Sequence, residues 1–160
     1  MAANHFIVPS VPLERVTTVR LGAGNTANDR FTDIEAGKIV KLTGESRYDL
    51  AVAGNPIEAF LVSTEAATSG GYSIGSVVSK GKVFVTADGL QATPGTGAIA
   101  VGDYVVTGTV IAKGTAMAGF AKVCKATSQT PVYPFAWRVV SLGQAAGTGA
   151  VGTTIVIEQV

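Results

Sequence analysis

The sequence predicts an all-β fold: a single antiparallel β-sandwich or β-barrel domain, jelly-roll-like, with an extended N-terminal arm. Apolar residues recur mostly at a spacing of two, in short runs interrupted by Gly, Pro, Asn and Asp. About nine or ten such runs follow one another at intervals of roughly 8–12 residues, which is typical of sandwiches and barrels. Helical spacing is scarce.

The arm is predicted over residues 1–35 and the β domain over residues 36–160. A short apolar block near the start is followed by Pro9 and Pro12. Proline at this density favours an extended chain, because it fixes φ and lacks a backbone donor. A ragged first strand is the alternative, and residues 16–21 are themselves a candidate strand.

The first half of the β domain alternates between apolar strands and turns. The turn at residues 53–56 contains Gly, Asn and Pro, whose backbone preferences suit turns. A second turn is predicted at residues 87–89, because Asp-Gly pairs favour tight turns. The predicted strands cover residues 38–42, 48–52, 57–63 and 75–86, the last interrupted at Lys80-Gly81.

The second half continues with the same alternation, apart from one ambiguous segment at residues 116–127. There Met117, Phe120 and Cys124 fall at helical spacing, but the stretch also alternates as a strand. Gly119 favours the strand, because glycine weakens a helix interior. The predicted strands cover residues 104–107, 109–112, 135–142 and 153–158, and the predicted loops cover residues 91–98 and 143–152.

Residues 36–44 and 101–108 resemble each other. Each segment has a Gly, a charged residue, an apolar pair and a second Gly a few positions later. Two similar hairpin entries within one domain explain the echo, and so does a true duplication.

Composition excludes several classes of protein. Hydrophobic residues make up 47% of the 160 residues and charged residues only 14%, against a usual charged share of about 25%. A net charge of +1 leaves no basic surplus for a generic nucleic-acid binder. No apolar run reaches the roughly 18 residues of a membrane helix, and the start lacks the features of a signal peptide. We therefore expect neither nucleic acid nor membrane as a partner.

The sequence predicts no enzyme and no catalytic, cofactor or metal site. The one histidine, His5, lies in the predicted arm, and the one cysteine, Cys124, excludes a disulfide framework or a multi-cysteine zinc site. Cys124 is expected to be a buried small hydrophobe. Asp88 and Asp103 adjoin Gly and are expected to form turns, and the Gly-rich stretches match no phosphate-binding pattern.

Tyr133, Phe135 and Trp137 alternate, so on a strand they would share one face. Exposed, they would form a sugar-binding platform. Buried, they would supply bulk to a core otherwise built from small residues. The core interpretation is favoured.

Residues 36–87 resemble the head decoration, or capsid cement, proteins of tailed bacteriophages. The resemblance is carried by residues 36–42, 48–67, 71–77 and 81–85, and it lies in small residues, short strands and hairpin spacing more than in a strict motif. It implies a non-enzymatic structural protein on the outer surface of the virion, made in the host cytoplasm. Such a protein sits on the shell as a homotrimer or homodimer and clamps neighbouring subunits of the major capsid protein.

The candidate capsid contacts lie in the predicted arm. Phe6, Ile7 and Val8 would pack against the shell, and Arg15 or Arg20 would pair with capsid carboxylates. A carbohydrate-binding domain, or another structural β domain of a phage tail or bacterial surface protein, is the alternative function.

Overall fold

The computed structural model describes residues 16–22, 30–44, 47–65, 73–129, 136–143 and 149–160. Within those residues every regular element is a strand, except for one 3₁₀ turn at Asp33–Glu35. The prediction of an all-β fold is confirmed. In this described part, no helix has the length and apolar character needed to cross a bilayer.

Thirteen strands build the described part of the molecule. Several, among them β5, β6, β11 and β13, alternate between more and less buried residues, because one face of each strand lines an interior. The pattern is clear in β13, where Ile155 and Ile157 are fully buried. The bounds are β1 Val16–Leu21, β2 Ile39–Leu42, β3 Arg47–Leu50, β4 Ala59–Glu65, β5 Ser73–Val78, β6 Lys82–Leu90, β7 Thr93–Pro94, β8 Ala98–Ile99, β9 Tyr104–Thr107, β10 Lys122–Lys125, β11 Trp137–Ser141, β12 Gly149–Ala150 and β13 Thr154–Gln159.

Strands β1 to β5 form a closed barrel in the order β1-β3-β2-β4-β5. β1 completes the ring by pairing antiparallel with β5 and parallel with β3. The interior of this first barrel holds its own hydrophobic cluster. The buried members of that cluster are Leu21, Phe31, Val40, Ala59, Leu61 and Val77.

A second closed ring follows in the order β6-β10-β9-β11-β13. β6 completes it by pairing antiparallel with β13 and parallel with β10. The short β7 pairs onto the end of β6, and β8 and β12 form a two-stranded ribbon that contacts β6. Ile99 of that ribbon is buried in the core of the second barrel.

The two barrels have the same connectivity. Counted in chain order, the five barrel strands are β1 to β5 in one and β6, β9, β10, β11 and β13 in the other. In each barrel the first strand pairs parallel with the third. The second strand pairs with the third and the fourth, and the fifth pairs with the fourth and the first. Even the register shift recurs, after Leu61 in β4 and after Val139 in β11. The structure is therefore an internal repeat of one five-stranded barrel.

Individual hydrogen bonds recur between the repeats, and they fall in the two segments that resemble each other in sequence. The bonds are Gly37 N to Leu61 O (2.7 Å) and Leu61 N to Lys38 O (2.9 Å) in the first barrel, and Gly102 N to Val139 O (2.8 Å) and Val139 N to Asp103 O (2.9 Å) in the second. Gly37 and Gly102 both have positive φ, at 89° and 93°. The sequence echo marks equivalent positions of the repeat.

The barrels share a core where they meet. One buried cluster contains the interior of the second barrel together with residues from the first, among them Ile39, Phe60 and Val78. Trp137 lies at the junction: its Nε1 donates to Ile57 O at 3.0 Å, and its ring meets that of Phe60 edge-on at 5.3 Å. This shared packing joins the two barrels as one body.

Several predicted elements need correction. Residues 87–89 are not a turn but part of β6, and residues 109–112 form no strand. The predicted loop at residues 91–98 contains β7 and the start of β8. In the ambiguous segment the strand interpretation is confirmed for β10, and the preceding residues 116–121 are neither helix nor strand. The ladders of the described strands are not all antiparallel, since β1–β3 and β10–β6 are parallel.

Of the predicted N-terminal arm, residues 1–15 and 23–29 lie outside the described residues. The described remainder belongs to the first barrel. β1 closes the ring, and Phe31 and Glu35 are buried. The described segments from Val16 to residue 35 are therefore barrel structure.

Candidate interaction surface

The structure describes only one of the five predicted capsid contacts. Phe6, Ile7, Val8 and Arg15 lie outside the described residues. Arg20 is half-buried on β1, beside Arg47 of β3.

A long connection in the second barrel reaches across to the first. This strap, residues 108–121, joins β9 to β10, whereas the equivalent connection of the first barrel covers only residues 43–46. Lys38 holds the strap, because its Nζ donates to Ala112 O at 2.9 Å and to Thr115 O at 2.8 Å. The sequence predicts a strand over part of this segment and does not reveal the contact.

Glu35 holds the strap from the other side. One carboxylate oxygen accepts from Gly114 N at 2.7 Å, and the other accepts from Thr32 N at 2.8 Å and Thr32 Oγ1 at 3.0 Å. Lys38 Nζ lies 3.7 Å from the carboxylate, and both side chains are almost fully buried. Burial alone would raise the pKa of Glu35, but these hydrogen bonds and the charge of Lys38 outweigh it, so the pKa is lowered.

Lys113 of the strap makes a third contact. Its Nζ lies 3.2 Å from Asp49 Oδ1 and 4.4 Å from the centre of the Phe31 ring, which is within cation–π range. A cavity of about 40 Å³ lies beneath the strap, lined partly by Ile39, Met117 and Phe120. A space of this size holds a few water molecules at most. The strap therefore fastens the two barrels.

A wider depression of about 330 Å³ lies beside the 3₁₀ turn. Its lining includes the charged side chains of Arg30, Asp33 and Glu65. Asp33 already accepts a hydrogen bond from Thr64 Oγ1 at 2.9 Å. We assign no ligand to this polar surface.

Cys124 is buried in β10, as expected. Its Sγ lies 3.5 Å from Asp88 O, to which it donates. Burial, with the nearby charge of Asp88, raises the pKa of the thiol to about 11. At neutral pH the side chain is a protonated thiol and a poor nucleophile.

Asp88 is expected from the sequence to form a turn, and this prediction is wrong. The residue is buried in β6, where its carboxylate accepts from Thr109 N at 2.8 Å, at the base of the strap. Lys122 Nζ lies 3.7 Å away. No group of three His, Cys, Asp or Glu side chains that would hold a metal ion occurs among the described residues.

Trp137 is 1% exposed, so it belongs to the core and not to an exposed sugar platform. Tyr133 and Phe135 lie outside the described residues. A scan against protein-family models, a search of curated proteins and a search of solved structures each found no match.

Proposed function

We propose that this chain is a structural virion protein that binds the outer surface of a bacteriophage capsid. In this role it cements neighbouring subunits of the major capsid protein and stabilises the head. It acts as a homotrimer or homodimer on the shell, after synthesis in the host cytoplasm, and it catalyses no reaction.

The observation that carries the proposal is the packing of the two barrels against each other around one shared core. The shared core around Phe60 and Trp137, and the strap held by Glu35 and Lys38, fix two similar bodies in one relative position. A bracket of this kind can touch two neighbouring subunits at once. The second contact is then effectively intramolecular, so modest contacts add up to firm attachment.

Closure of the barrels also supports the proposal. Each of the ten barrel strands pairs with a neighbour on both sides, so none is an edge strand along its whole length. The barrels therefore present mainly side-chain surfaces for attachment. A rigid β scaffold that presents side chains suits repeated docking on a regular shell.

The resemblance of residues 36–87 to decoration proteins points the same way. The carbohydrate-binding alternative is weakened, because Trp137 is buried and its indole N–H is already bonded to Ile57 O. A structural role in a phage tail or on a bacterial surface stays as the other alternative.

Co-sedimentation with capsids of the virus that encodes the chain tests the proposal. The purified chain is mixed with capsids that lack it, and its occupancy and the temperature of capsid disruption are measured. We expect saturable binding and a higher disruption temperature. Absence of binding at micromolar concentrations of the chain would contradict the proposal, and binding to glycans on an array would favour the alternative.

A further inference from the structure

One outward-facing row of the first barrel is already an interface. The row crosses β1, β5, β4 and β2 through the paired residues Val16, Val78, Phe60 and Ile39, and Ala51 N bonds to Ile39 O. All but Val16 are at most 5% exposed and belong to the cluster that contains the second barrel's interior. In the first barrel this row therefore packs against the second barrel.

The equivalent row of the second barrel faces solvent. Lys82 pairs with Glu158, Glu158 with Arg138, and Arg138 with Tyr104, while Ala126 N bonds to Tyr104 O. Lys82 and Arg138 are exposed, and Glu158 and Tyr104 are half-buried. The row is apolar in the first barrel and charged in the second. In the second barrel it therefore does not suit packing against another apolar barrel face.

The cations of this row form no close ion pair with the described part of the chain. Lys82, Arg138 and Glu158 make no ion pair or side-chain hydrogen bond with a described residue, and neither does exposed Lys80 beside the row. Other described lysines do have carboxylate partners: Lys38, Lys113, Lys122 and Lys125. Three cations and one anion thus come together on a rigid wall.

We propose that this wall, defined by Lys80, Lys82, Tyr104, Arg138 and Glu158, docks onto an acidic strip of a folded protein. The inference rests on the proposed function, and the acidic strip then belongs to the major capsid protein. The cationic excess selects an acidic partner, and tyrosine and arginine are residue types that dominate protein interfaces. A nucleic-acid backbone is the less suitable partner, because the chain has a net charge of only +1 and so lacks the basic surplus that phosphate binding needs.

The test compares two double variants in the capsid co-sedimentation assay. Lys82→Glu/Arg138→Glu reverses the wall, and Arg30→Glu/Lys41→Glu makes the same change in net charge elsewhere. Arg30, Lys82 and Arg138 are exposed and Lys41 is half-buried. None of the four makes an ion pair with a described residue, so both variants are expected to fold. Urea unfolding checks this, and Lys82→Ala/Arg138→Ala replaces the reversal if it is destabilised.

We expect the wall variant to bind capsids about tenfold more weakly or worse. The control variant should bind like the wild type, and added salt should weaken the wild type more than the wall variant. Equal binding by the wall variant and the wild type would overturn this inference and leave the proposed function intact. Failure of the wild type to bind capsids would remove both. Wall-dependent binding of a labelled oligonucleotide, with no loss of capsid binding, would overturn the assignment to a protein partner.

Discussion

Glu35 and Lys38 stabilise the junction between the barrels because their buried charged groups are paired and hydrogen-bonded. A buried charge is costly unless it is paired and hydrogen-bonded. Lys38 reaches two strap carbonyls and Glu35, while Glu35 accepts from Gly114 and from Thr32. Removal of one member would leave the other buried without its charge partner. Substitutions at this pair should therefore reduce stability more than substitutions at the other polar residues of the junction.

We expect Lys38→Met to lower the free energy of unfolding by about 3 kcal/mol or more, because Glu35 would keep an uncompensated buried charge. Urea denaturation measures the loss. Lys41→Met is the matched control: Lys41 lies in β2, three residues after Lys38, half-buried and without an ion pair to a described residue, and should change stability by less than about 0.5 kcal/mol. Glu35→Gln/Lys38→Met should recover part of the loss. A single variant as stable as the wild type would show that the pair does not fasten the strap.

The lowered pKa of Glu35 makes the stabilisation by the Glu35–Lys38 pair depend on pH. The unfolded chain takes up the proton first, so the contribution of Glu35 is complete above the ordinary glutamate pKa of about 4.3. It is lost as the pH falls from that value through the lower folded pKa. The melting-temperature difference between the wild type and Glu35→Gln should therefore be constant near neutrality and shrink in acid. A difference that does not change with pH would contradict this assignment.

Cys124 should be inert in the folded protein. Its pKa of about 11 and its burial leave almost no accessible thiolate at pH 8. Iodoacetamide should label the unfolded chain in urea and leave the native chain unlabelled over the same time. Rapid native labelling would show that β10 opens or that the thiolate is stabilised.

β6 depends on one glycine near its end, where the strand pairs with β7. Gly89 has φ of 83°, and a Cβ there would collide with the backbone of Thr96. Gly95 has almost the same φ, 84°, but open space around it. The two positions separate backbone strain from steric collision.

Gly89→Ala should cost more stability than Gly95→Ala. Both variants force an alanine into a left-handed conformation, at about 1–2 kcal/mol. Only the first adds the collision with Thr96, which typically costs a further ~1–3 kcal/mol. Urea unfolding of the two variants measures the difference. Equal losses of stability would mean that the β6–β7 hairpin relieves the collision with Thr96.

The sequence predicts elements whose side chains alternate between one interior and solvent. β11 and β13 are of this kind, and the predicted strands overlap them. The turn prediction at residues 87–89 fails because Asp-Gly normally marks a turn, whereas Asp88 is buried and bonded to Thr109. The strand prediction in the strap fails because this segment is held by Lys38 and Glu35 of the first barrel, contacts that no local pattern records.

The candidate surface is even less accessible to sequence reasoning. Nothing in the order of residues places Lys82, Arg138 and Glu158 on adjacent strands; only the closed register does so. The repeat is visible in the sequence only as the echo around Gly37 and Gly102. Elsewhere the two copies have diverged, because equivalent positions such as Phe60 and Arg138 meet an apolar neighbour in one barrel and water in the other.

At the scale of the whole molecule, the two barrels should unfold together. Phe60, Ile39 and Val78 of the first barrel complete the core of the second, so neither barrel loses its packing without affecting the other. Calorimetry should show one transition whose calorimetric and van't Hoff enthalpies agree. Two resolved transitions would mean that the barrels are independent domains and that the bracket is not rigid.

Rigidity is what connects the fold to the proposed role. A pair of barrels that moved freely would lose the advantage of a second, pre-positioned contact. The buried Glu35–Lys38 pair, the shared core and the closed rings each limit such motion. The charged wall supplies a surface whose cations form no ion pair with the described part of the chain.

Electron cryomicroscopy of the phage particle proposed to carry this chain is the decisive test of attachment to the capsid. We expect repeated copies on the outer surface of the shell, with the two barrels of each copy spanning a boundary between major capsid subunits. The wall of Lys82 and Arg138 should face capsid carboxylates. A shell surface without this density, or density confined to the tail, would contradict the proposal.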